Sequence, residues 1–399
     1  MMSKGKRRVP KLRFPGFTED WEQRKLGNLA TVEMNKRIFK EQTTTKGEIP
    51  FYKIGTFGSD ADSFISKELF EEYKNKYPYP NIGDILISAS GSIGRTVVYN
   101  GEDAYYQDSN IVWLNHNGQI DNSFLLQFYN QVKWAGLEGS TIKRLYNKNI
   151  LETNIALPKI EEQRLIGKFF KLVDSSITLH QRKLDNLKLK KKALLQKLFP
   201  KNGERYPELR FPGFTDAWEQ RKFKDLFKER REKTIRENEE TLLSCAITGI
   251  YLNSDLFSHF RGSSTVGYLK VKKYDLILSA QNLHLGNANI NLSFERGMIS
   301  PAYKVFELKS IDPYFINAWV KKDTTKNFFL KATTEGASQC RKNIEWDVLQ
   351  NQEIPIPNNL EQIAIGKFIN NIDMIITLHQ RKLDHLKLQK KALLQQMFV

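Results

Sequence analysis

Two long stretches of the chain carry apolar residues at alternating spacings of four and three positions. A period of about 3.5 residues with a narrow apolar seam is typical of coiled-coil helices. The first seam is Ile166, Phe170, Val173, Ile177, His180, Leu184, Leu187, Leu194 and Leu198, and the second is Ile365, Ile369, Ile372, Ile376, His379, Leu383, Leu386, Leu393 and Met397. Lys191 and Lys390 fill the remaining seam position of each stretch, and we expect them to extend toward solvent. Because the other faces are polar, each helix needs a partner, and the nearest candidate is the other helix.

These stretches belong to a duplication that covers much of the chain. The segment PKLRFPGFTEDWEQRKL at 10–26, the first opener, returns as PELRFPGFTDAWEQRKF at 207–223, the second opener. Residues 162–199 return at 361–398 with about two thirds of the positions identical. The order is opener, core, helix, twice over, and a period near 200 residues is too long for a solenoid. The sequence therefore predicts two equivalent halves within one polypeptide.

The two cores between the repeated ends differ strongly in sequence. They share DILISA at 84–89 and DLILSA at 275–280, which indicate buried strands. Short β-prone runs broken by Gly, Asn and Pro indicate α/β domains, close to α+β, with irregular sheets. Proline in IALPKIEEQ and IPIPNNLEQ marks where each long helix begins.

The predicted layout is cyclic and has a pseudo-two-fold relation. Two long antiparallel coiled-coil helices separate two α/β cores, and the end of the chain returns to the first opener. Helices of roughly 35 residues would be about 50 Å long. We expect a first core domain at 1–160, a first helix at 161–200, a second core domain at 201–358 and a second helix at 359–399.

Charge favours a nucleic-acid partner. Sixty-two Lys and Arg against forty-five Asp and Glu give a formal net charge of +17 over 399 residues. Such a surplus suggests a polyanionic partner, nucleic acid before membrane. No apolar run approaches the roughly 18 residues of a membrane span, and the basic start lacks the apolar stretch of a signal peptide. We therefore expect a cytoplasmic protein with two free thiols, Cys245 and Cys340.

Motifs for catalysis are missing from the sequence. Neither GKF segment has the upstream glycine of a phosphate loop, and no G-x-G-x-x-G follows a strand. The six histidines show no metal-ligand spacing, and neither cysteine has the spacing of a nucleophile. We expect no catalytic residue and no metal site, and we interpret His180 and His379 as seam residues that fix the helix register. Scattered carboxylates of a metal nuclease remain a minor alternative.

The whole chain resembles the specificity (S) subunit of type I restriction–modification systems. The resemblance rests on the two variable cores, the helix starts LPKIEEQRLIGKFF and IPNNLEQIAIGKFI, the duplicated LHQRKLD…KKALLQ helices and the segment GDILISASGSIG. One departure is that GSIG at 91–94 has no clear counterpart after Ala280.

The resemblance implies a non-catalytic DNA-addressing subunit. Each core would be a target recognition domain that reads one half of a bipartite duplex DNA sequence, and the helices would set the gap between the halves. Two modification subunits would dock on the helices and repeats, bind S-adenosylmethionine and methylate adenine. Restriction subunits with ATP and Mg²⁺ would add cleavage. This chain itself would bind no cofactor.

Candidate DNA contacts are polar and basic residues in loops of the two cores, because such side chains read base edges or bind phosphates. In the first core they are Ser90, Ser92, Arg95, Lys143, Arg144 and Lys148. In the second core they are Gln281, Asn282, His284, Asn287, Gln339, Arg341 and Lys342.

Two rival functions stay open at this point. A self-contained nuclease or methyltransferase would need a cofactor motif, which the sequence lacks. A basic coiled-coil adaptor that binds RNA or DNA without a methyltransferase partner is the second rival. RNA readers carry stacking aromatics on exposed sheets, whereas Trp21 and Trp218 lie in the repeated openers.

Overall fold

A computed structural model describes residues 9–136, 143–201, 203–258, 264–338 and 341–398, without the side chains of 335–338 and 341–342. The chain divides into two compact units. The first comprises the described residues up to His180 together with those from Lys382 onward, and the second is Gln181–Arg381. Each unit therefore contains one core, the start of one long helix and the end of the other.

The first half of the chain alternates short strands and helices before one long helix. Its elements are β1 (Glu22–Lys25), β2 (Thr31–Glu33), β3 (Ile49–Tyr52), β4 (Phe64–Ile65), α1 (Lys67–Lys76), β5 (Ile85–Ser88), β6 (Thr96–Val98), β7 (Tyr105–Tyr106), β8 (Ile111–Asn115), α2 (Asn122–Tyr129), α3 (Asn147–Leu151), β9 (Asn154–Leu157) and α4 (Ile160–Lys197).

The second half repeats this order with different insertions. Its elements are β10 (Glu219–Lys222), α5 (Phe223–Leu226), β11 (Phe227–Arg230), β12 (Leu243–Ala246), β13 (Gly249–Leu252), α6 (Asn253–Leu256), β14 (Leu269–Lys272), β15 (Leu276–Ser279), β16 (Ala288–Ile290), β17 (Arg296–Ile299), β18 (Tyr303–Leu308), α7 (Pro313–Val320), α8 (Thr325–Leu330), β19 (Thr333–Ser338), β20 (Arg341–Ile344), α9 (Trp346–Asn351), β21 (Glu353–Ile356) and α10 (Asn359–Met397).

Each core contains a four-stranded antiparallel sheet with the same strand arrangement, although the sequences of the two cores diverge. The strand order is β2-β8-β5-β6 in the first core and β11-β18-β15-β16 in the second. The central strands β5 and β15 are the predicted buried strands, and every residue in both is buried. The remaining strands differ: the first core adds β4-β3-β7, and the second adds the pairs β12-β13, β14-β17 and β19-β20. The cores are therefore variations of one mixed α and β fold.

Each core begins and ends on the same short ladder. The identical tetrapeptide EQRK forms β1 and β10, which pair antiparallel with β9 and β21. The last strand of each core thus lies beside its first strand, directly before the long helix.

The Glu-Gln pair at the start of each long helix fixes the helix to its own core. Glu162 is fully buried and accepts two hydrogen bonds from Arg13 of the first opener. Gln163 accepts a hydrogen bond from the backbone N–H of Asp121 and donates one to the carbonyl oxygen of Pro158, both at 2.9 Å. Arg210, Glu361 and Gln362 repeat these contacts in the second unit.

The glycine of each GKF segment permits close packing. A Cβ at Gly366 would lie 2.7 Å from the backbone nitrogen of Phe315 and 2.6 Å from Oδ1 of Asp312. Gly167 meets the corresponding turn before α2 in the first unit. The glycine of each GKF segment therefore serves helix packing. This agrees with the sequence analysis, in which neither GKF segment has the upstream glycine of a phosphate loop.

The long helices run antiparallel, as each unit shows by itself. In the first unit Lys390 Nζ on α10 lies 2.7 Å from Asp174 Oδ1 on α4, and Leu394 and Met397 share a core with Ile166 and Phe170. In the second unit the equivalent pair is Lys191 with Asp373, and Leu195 and Leu198 share a core with Ile365 and Ile369. Each seam lysine is thus paired with an aspartate of the opposite helix, so the expectation that these lysines extend toward solvent was wrong.

Seam burial varies along the helices. Ile166, Phe170, Leu184, Leu198, Ile365, Ile369, Leu383 and Met397 are buried, and the other predicted seam positions are half-buried.

The end of each long helix returns to an opener. The backbone N–H of Leu12 donates to the carbonyl oxygen of Gln396 at 2.9 Å, and that of Leu209 donates to Lys197 at 2.9 Å. In the first unit Phe398 also stacks on Phe124 and contacts the edge of Trp21. These contacts close the cyclic layout. Within the described part of the chain, no helix is both long and apolar enough to cross a membrane.

Candidate nucleic-acid interface

In the first core, folding brings two candidate segments together at one edge of the shared sheet. The backbone N–H of Ala89, just after β5, donates to the carbonyl oxygen of Asn110 at 2.7 Å, just before β8. Ser90 and Arg144 form an isolated antiparallel bridge. The loop after β5 and the segment before α3 are therefore neighbours although about 50 residues separate them. We call Ser90, Ser109, Asn110 and Arg144 the first polar edge.

Hydrogen bonds orient the side chains of the first polar edge. Ser90 Oγ donates to Asn110 Oδ1 at 2.8 Å. Nη2 of Arg144 donates to Ser109 Oγ at 3.0 Å and lies 3.4 Å from Asn110 Oδ1. The Arg144 guanidinium also lies 6.0 Å from the ring centre of Tyr146. The Arg144 side chain is half-buried, and the groups that contact its guanidinium are all neutral.

The glycine-containing loop after β5 is a closed turn. Ser88 Oγ accepts from the backbone N–H of Arg95 at 2.9 Å and donates to the carbonyl oxygen of Ser92. Gly94 has φ +82°, which glycine adopts without strain. Arg95 Nη1 donates to the carbonyl oxygen of Phe57 at 2.6 Å, so this arginine also braces a neighbouring loop. Ser92 is exposed on the loop.

The other two basic candidates of the first core lie on the surface. Lys143 is exposed next to Arg144. Lys148 on α3 is also exposed, and its Nζ lies 3.9 Å from Glu152 one turn away.

The corresponding edge of the second core carries different side chains. Here the backbone N–H of Ala280 donates to Ala302 at 3.3 Å, the counterpart of the Ala89–Asn110 bond. Gln281 is exposed and Asn282 is half-buried. Gln281 and Asn282 line a cavity of about 420 Å³ together with Ser244, Asn253, Ser279, Ser300 and Tyr303, among others. We call Gln281, Asn282 and Ser300 the second polar edge.

Two candidates of the second core are less exposed than Gln281. Asn287 is buried and donates to the carbonyl oxygen of Cys245 at 3.3 Å, so in this structure it has a structural role. His284 is half-buried, and its Nδ1 has no hydrogen-bond partner among the described residues.

The last three candidates of the second core lie at or beside strand β20 in the sequence. Gln339 lies outside the described residues. Arg341 and Lys342 belong to β20, where they pair with Ser338 and Glu335, and their side chains are not described.

Sequence reasoning missed Ser109, Asn110 and a buried polar group beneath the β12-β13 hairpin. There Lys321 Nζ donates to the carbonyl oxygen of Ile247 at 3.0 Å and to Asn289 Oδ1. Burial lowers the pKa of Lys321 to about 8. Burial also raises the pKa of the Cys245 thiol to about 11, and this thiol accepts from Asn289 Nδ2 at 3.0 Å. Lys321 and Asn289 thus hold the β12-β13 hairpin by hydrogen bonds to its residues.

The long helices expose apolar side chains at equivalent places. Leu179 and Leu378 are 53% and 67% exposed, and Leu189 and Leu388 are 67% and 66% exposed. Leu179 and Leu388 belong to the first unit, and Leu378 and Leu189 to the second. Each unit thus shows the same two exposed leucines, one from each helix.

Comparison with known proteins gives consistent matches. The family model described as "Type I restriction modification DNA specificity domain" matches residues 18–189. The putative type I restriction enzyme specificity subunit S.HindORF215P of Haemophilus influenzae is 53% identical over 157 residues, which is 38% of this chain and 41% of that protein's length. The putative MjaX specificity subunit of Methanocaldococcus jannaschii is 25% identical over 94% of this chain and 92% of its own length.

Solved structures match in fold. The S subunit of a type I restriction–modification system from M. genitalium superposes with a TM-score of 0.63 at 14% identity, over 98% of this chain and 99% of that one. A chain from a study of complex assembly and conformational transition of a type I restriction–modification system gives a TM-score of 0.51 at 14% identity, over 98% and 99%.

Proposed function

The chain belongs to the DNA specificity subunits of type I restriction–modification enzymes, and from this premise we propose that its two cores, placed on the DNA by their polar edges, read the two halves of a bipartite duplex target. One observation carries the proposal: equivalent sheets present different side chains at the same edge. Ser109 and Asn110 in the first core correspond to Pro301 and Ala302 in the second. A repeated frame whose two cores present unlike side chains to the DNA is what an asymmetric two-part target requires.

The helices are proposed to set the gap between the half-sites. They contain 38 and 39 residues, which corresponds to about 57 Å of helix. That length equals roughly 17 base pairs of B-DNA at about 3.4 Å each. Because the seam fixes the antiparallel register, the gap would be constant for this chain.

Chemistry is proposed to come from partner subunits. Modification subunits would bind S-adenosylmethionine and methylate adenine, and restriction subunits would use ATP and Mg²⁺. The sequence of this chain contains no phosphate loop and no dinucleotide or methyl-donor motif. The chain would therefore select the DNA sequence on which the partner subunits act. The family match does not favour the rival function of an adaptor without a methyltransferase partner.

The exposed leucines are proposed to dock the modification subunits. A partner that covers these leucines, which are all more than half exposed, would gain free energy from burying their apolar surface. Because each unit shows the same two leucines, two copies of one partner would find equivalent surfaces.

Docking is tested by changing one unit at a time. Leu179→Ser with Leu388→Ser should reduce the assembly from two modification subunits per chain to one, as measured by native mass spectrometry. Leu189→Ser with Leu378→Ser should do the same for the second unit. Leu360→Ser is the matched control, because Leu360 is exposed on α10 but has Glu161 as its counterpart on α4. Unchanged stoichiometry in both double variants would contradict the docking proposal.

The proposed function itself is tested with a random duplex library. The chain and its modification subunits should methylate sites that share a two-part motif with a fixed gap. Gln281→Ala with Asn282→Ala should relax one half of the motif and leave the other half unchanged. An uninterrupted motif, methylation that does not need this chain, or preferred binding of single-stranded RNA would each count against the proposal.

A further inference from the structure

Arg144 is half-buried and has no carboxylate partner among the described residues, in contrast to three other arginines. Arg13, Arg210 and Arg230 each pair with a buried carboxylate, at 2.6, 2.7 and 2.9 Å. Arg144 is half-buried as well, but in the described structure its hydrogen bonds go only to Ser109 and Asn110. Removing a charge from water without a counter-charge is unfavourable. An anion from outside the chain would therefore compensate the Arg144 charge.

The hydrogen-bonding groups left over at the first polar edge are donors. Asn110 Oδ1 already accepts from Ser90 and faces Arg144, which leaves the Nδ2 group of Asn110. Ser109 Oγ accepts from Arg144, so its O–H remains to donate. Nε and Nη1 of Arg144 make no hydrogen bond to any described residue. Lys143 is exposed beside them and forms no ion pair within the described residues.

We propose that the first polar edge is a phosphate clamp, in which Arg144, Asn110 and Ser109 bind a phosphate group of the DNA backbone. The inference rests on the proposed function, because it assumes that this edge faces DNA. A guanine edge also offers acceptors, but guanine is neutral and would leave the Arg144 charge uncompensated. A phosphate supplies both the acceptors and the charge. The clamp thus fixes register and orientation and carries no sequence information itself.

The second core has no counterpart of the hydrogen-bonding side chains that hold Arg144 in the first core. Pro301 and Ala302 stand where the first core has Ser109 and Asn110, and neither side chain can hydrogen-bond to a guanidinium or a phosphate. The clamp therefore belongs to the first half-site. It makes the two halves of the target unequal in affinity as well as in sequence.

Replacing Arg144 separates phosphate binding from base reading. In the complex of the full chain with modification subunits, Arg144→Gln should weaken binding by about 10-fold or more on every sequence, because one charge-assisted contact is lost. The slope of log affinity against log salt is negative, and its magnitude should decrease by about 0.9. Arg144→Lys should stay within about 3-fold of the wild type, since lysine binds phosphate as a point charge. The methylated motif should be unchanged in both variants.

Two control variants complete the test. Arg24→Gln removes the same charge from an exposed arginine paired with Glu22, and its binding should match the wild type. Glu138, which lies outside the described residues, is the nearest preceding carboxylate along the chain. Because the proposed clamp contains no carboxylate, Glu138→Gln should also match the wild type.

The outcomes distinguish this proposal from the proposed function. Loss of preference at a single base position in Arg144→Gln and Arg144→Lys would identify base reading and overturn the clamp, while the bipartite function stands. Unchanged affinity of a folded Arg144→Gln, checked by its thermal unfolding, would overturn the clamp too. A Glu138→Gln effect equal to that of Arg144→Gln would assign Arg144 a structural ion pair and also overturn it. Failure of the wild-type complex to show a two-part motif would instead reject the proposed function.

Discussion

Replacing Arg13 by methionine should break a buried ion pair that holds the first opener on helix α4. Nε and Nη2 of Arg13 donate to the two carboxylate oxygens of Glu162 at 2.6 and 2.8 Å. The Glu162 side chain is 0% exposed and that of Arg13 is 13% exposed. The hydrogen bond to Glu162, together with its charge, raises the pKa of Arg13. Methionine would retain much of the apolar packing but leave the carboxylate without a partner.

The size of the effect follows from burial. Removing one partner of a buried ion pair lowers the free energy of unfolding by about 3–5 kcal/mol. At about 1.4 kcal/mol per factor of ten, the most protected amides of the first unit should exchange roughly two to four orders of magnitude faster. Hydrogen exchange, measured peptide by peptide, assigns the loss to that unit. The equivalent pair Arg210 and Glu361 leaves the second unit as an internal reference.

An exposed pair between the same two segments is the matched control. Lys159 Nζ lies 2.7 Å from Glu19 of the first opener, with side chains 65% and 61% exposed. Lys159→Met should change the free energy of unfolding by less than about 0.5 kcal/mol. Adding Glu162→Met to Arg13→Met should recover most of the lost stability, because an apolar pair replaces the lone carboxylate. The reasoning is refuted if Arg13→Met is no worse than Lys159→Met, or if the double variant is as unstable as the single one.

Further predictions concern a half-buried lysine, the helix seam and a helix glycine. With its pKa lowered to about 8 from 10.5 by burial, Lys321 makes the folded state bind fewer protons than the unfolded chain in that interval. The free energy of unfolding of the wild type minus that of Lys321→Met should therefore rise from pH 8 to 10.5, and a flat difference in denaturant titrations would contradict this. Lys390→Asp should lower the free energy of unfolding by about 1–2 kcal/mol, and adding Asp174→Lys should restore it; no recovery would argue against the seam pair. Gly366→Ala should cost about 2–3 kcal/mol, whereas Gly55→Ala, with open space around it, should stay within about 0.5 kcal/mol by thermal unfolding.

The seam of the long helices was predictable because a helix repeats its contacts every 3.5 residues. The partners of the seam lysines were not. Asp174 and Lys191 lie 17 residues apart on the same helix, and only the antiparallel alignment shows that each meets the opposite charge on the other helix. A charge at a seam position gives no information on its own about whether it faces water or a partner.

The candidate site was predictable as segments but not as a constellation. The loop after β5 and the segment containing Arg144 were both selected for their polar and basic residues. Ser109 and Asn110 were missed because their place depends on the pairing of β5 with β8, which local patterns do not encode. The shared sheet escaped notice for a similar reason, since a strand buried on both faces requires only apolar residues and tolerates many sequences.

The ladder that opens and closes each core bears on how such proteins diversify. Both copies use the identical peptide WEQRK, and in each the first and last strands of the core lie side by side. A core is therefore a cassette with adjacent ends, and a new one can be spliced in without altering the frame that receives it. Genetic exchange at the repeated openers and helix starts would move a whole core, together with its proposed recognition of one half-site, from one half of the chain to the other. The duplication that builds the scaffold thereby also supplies the sequence identity on which recombination depends.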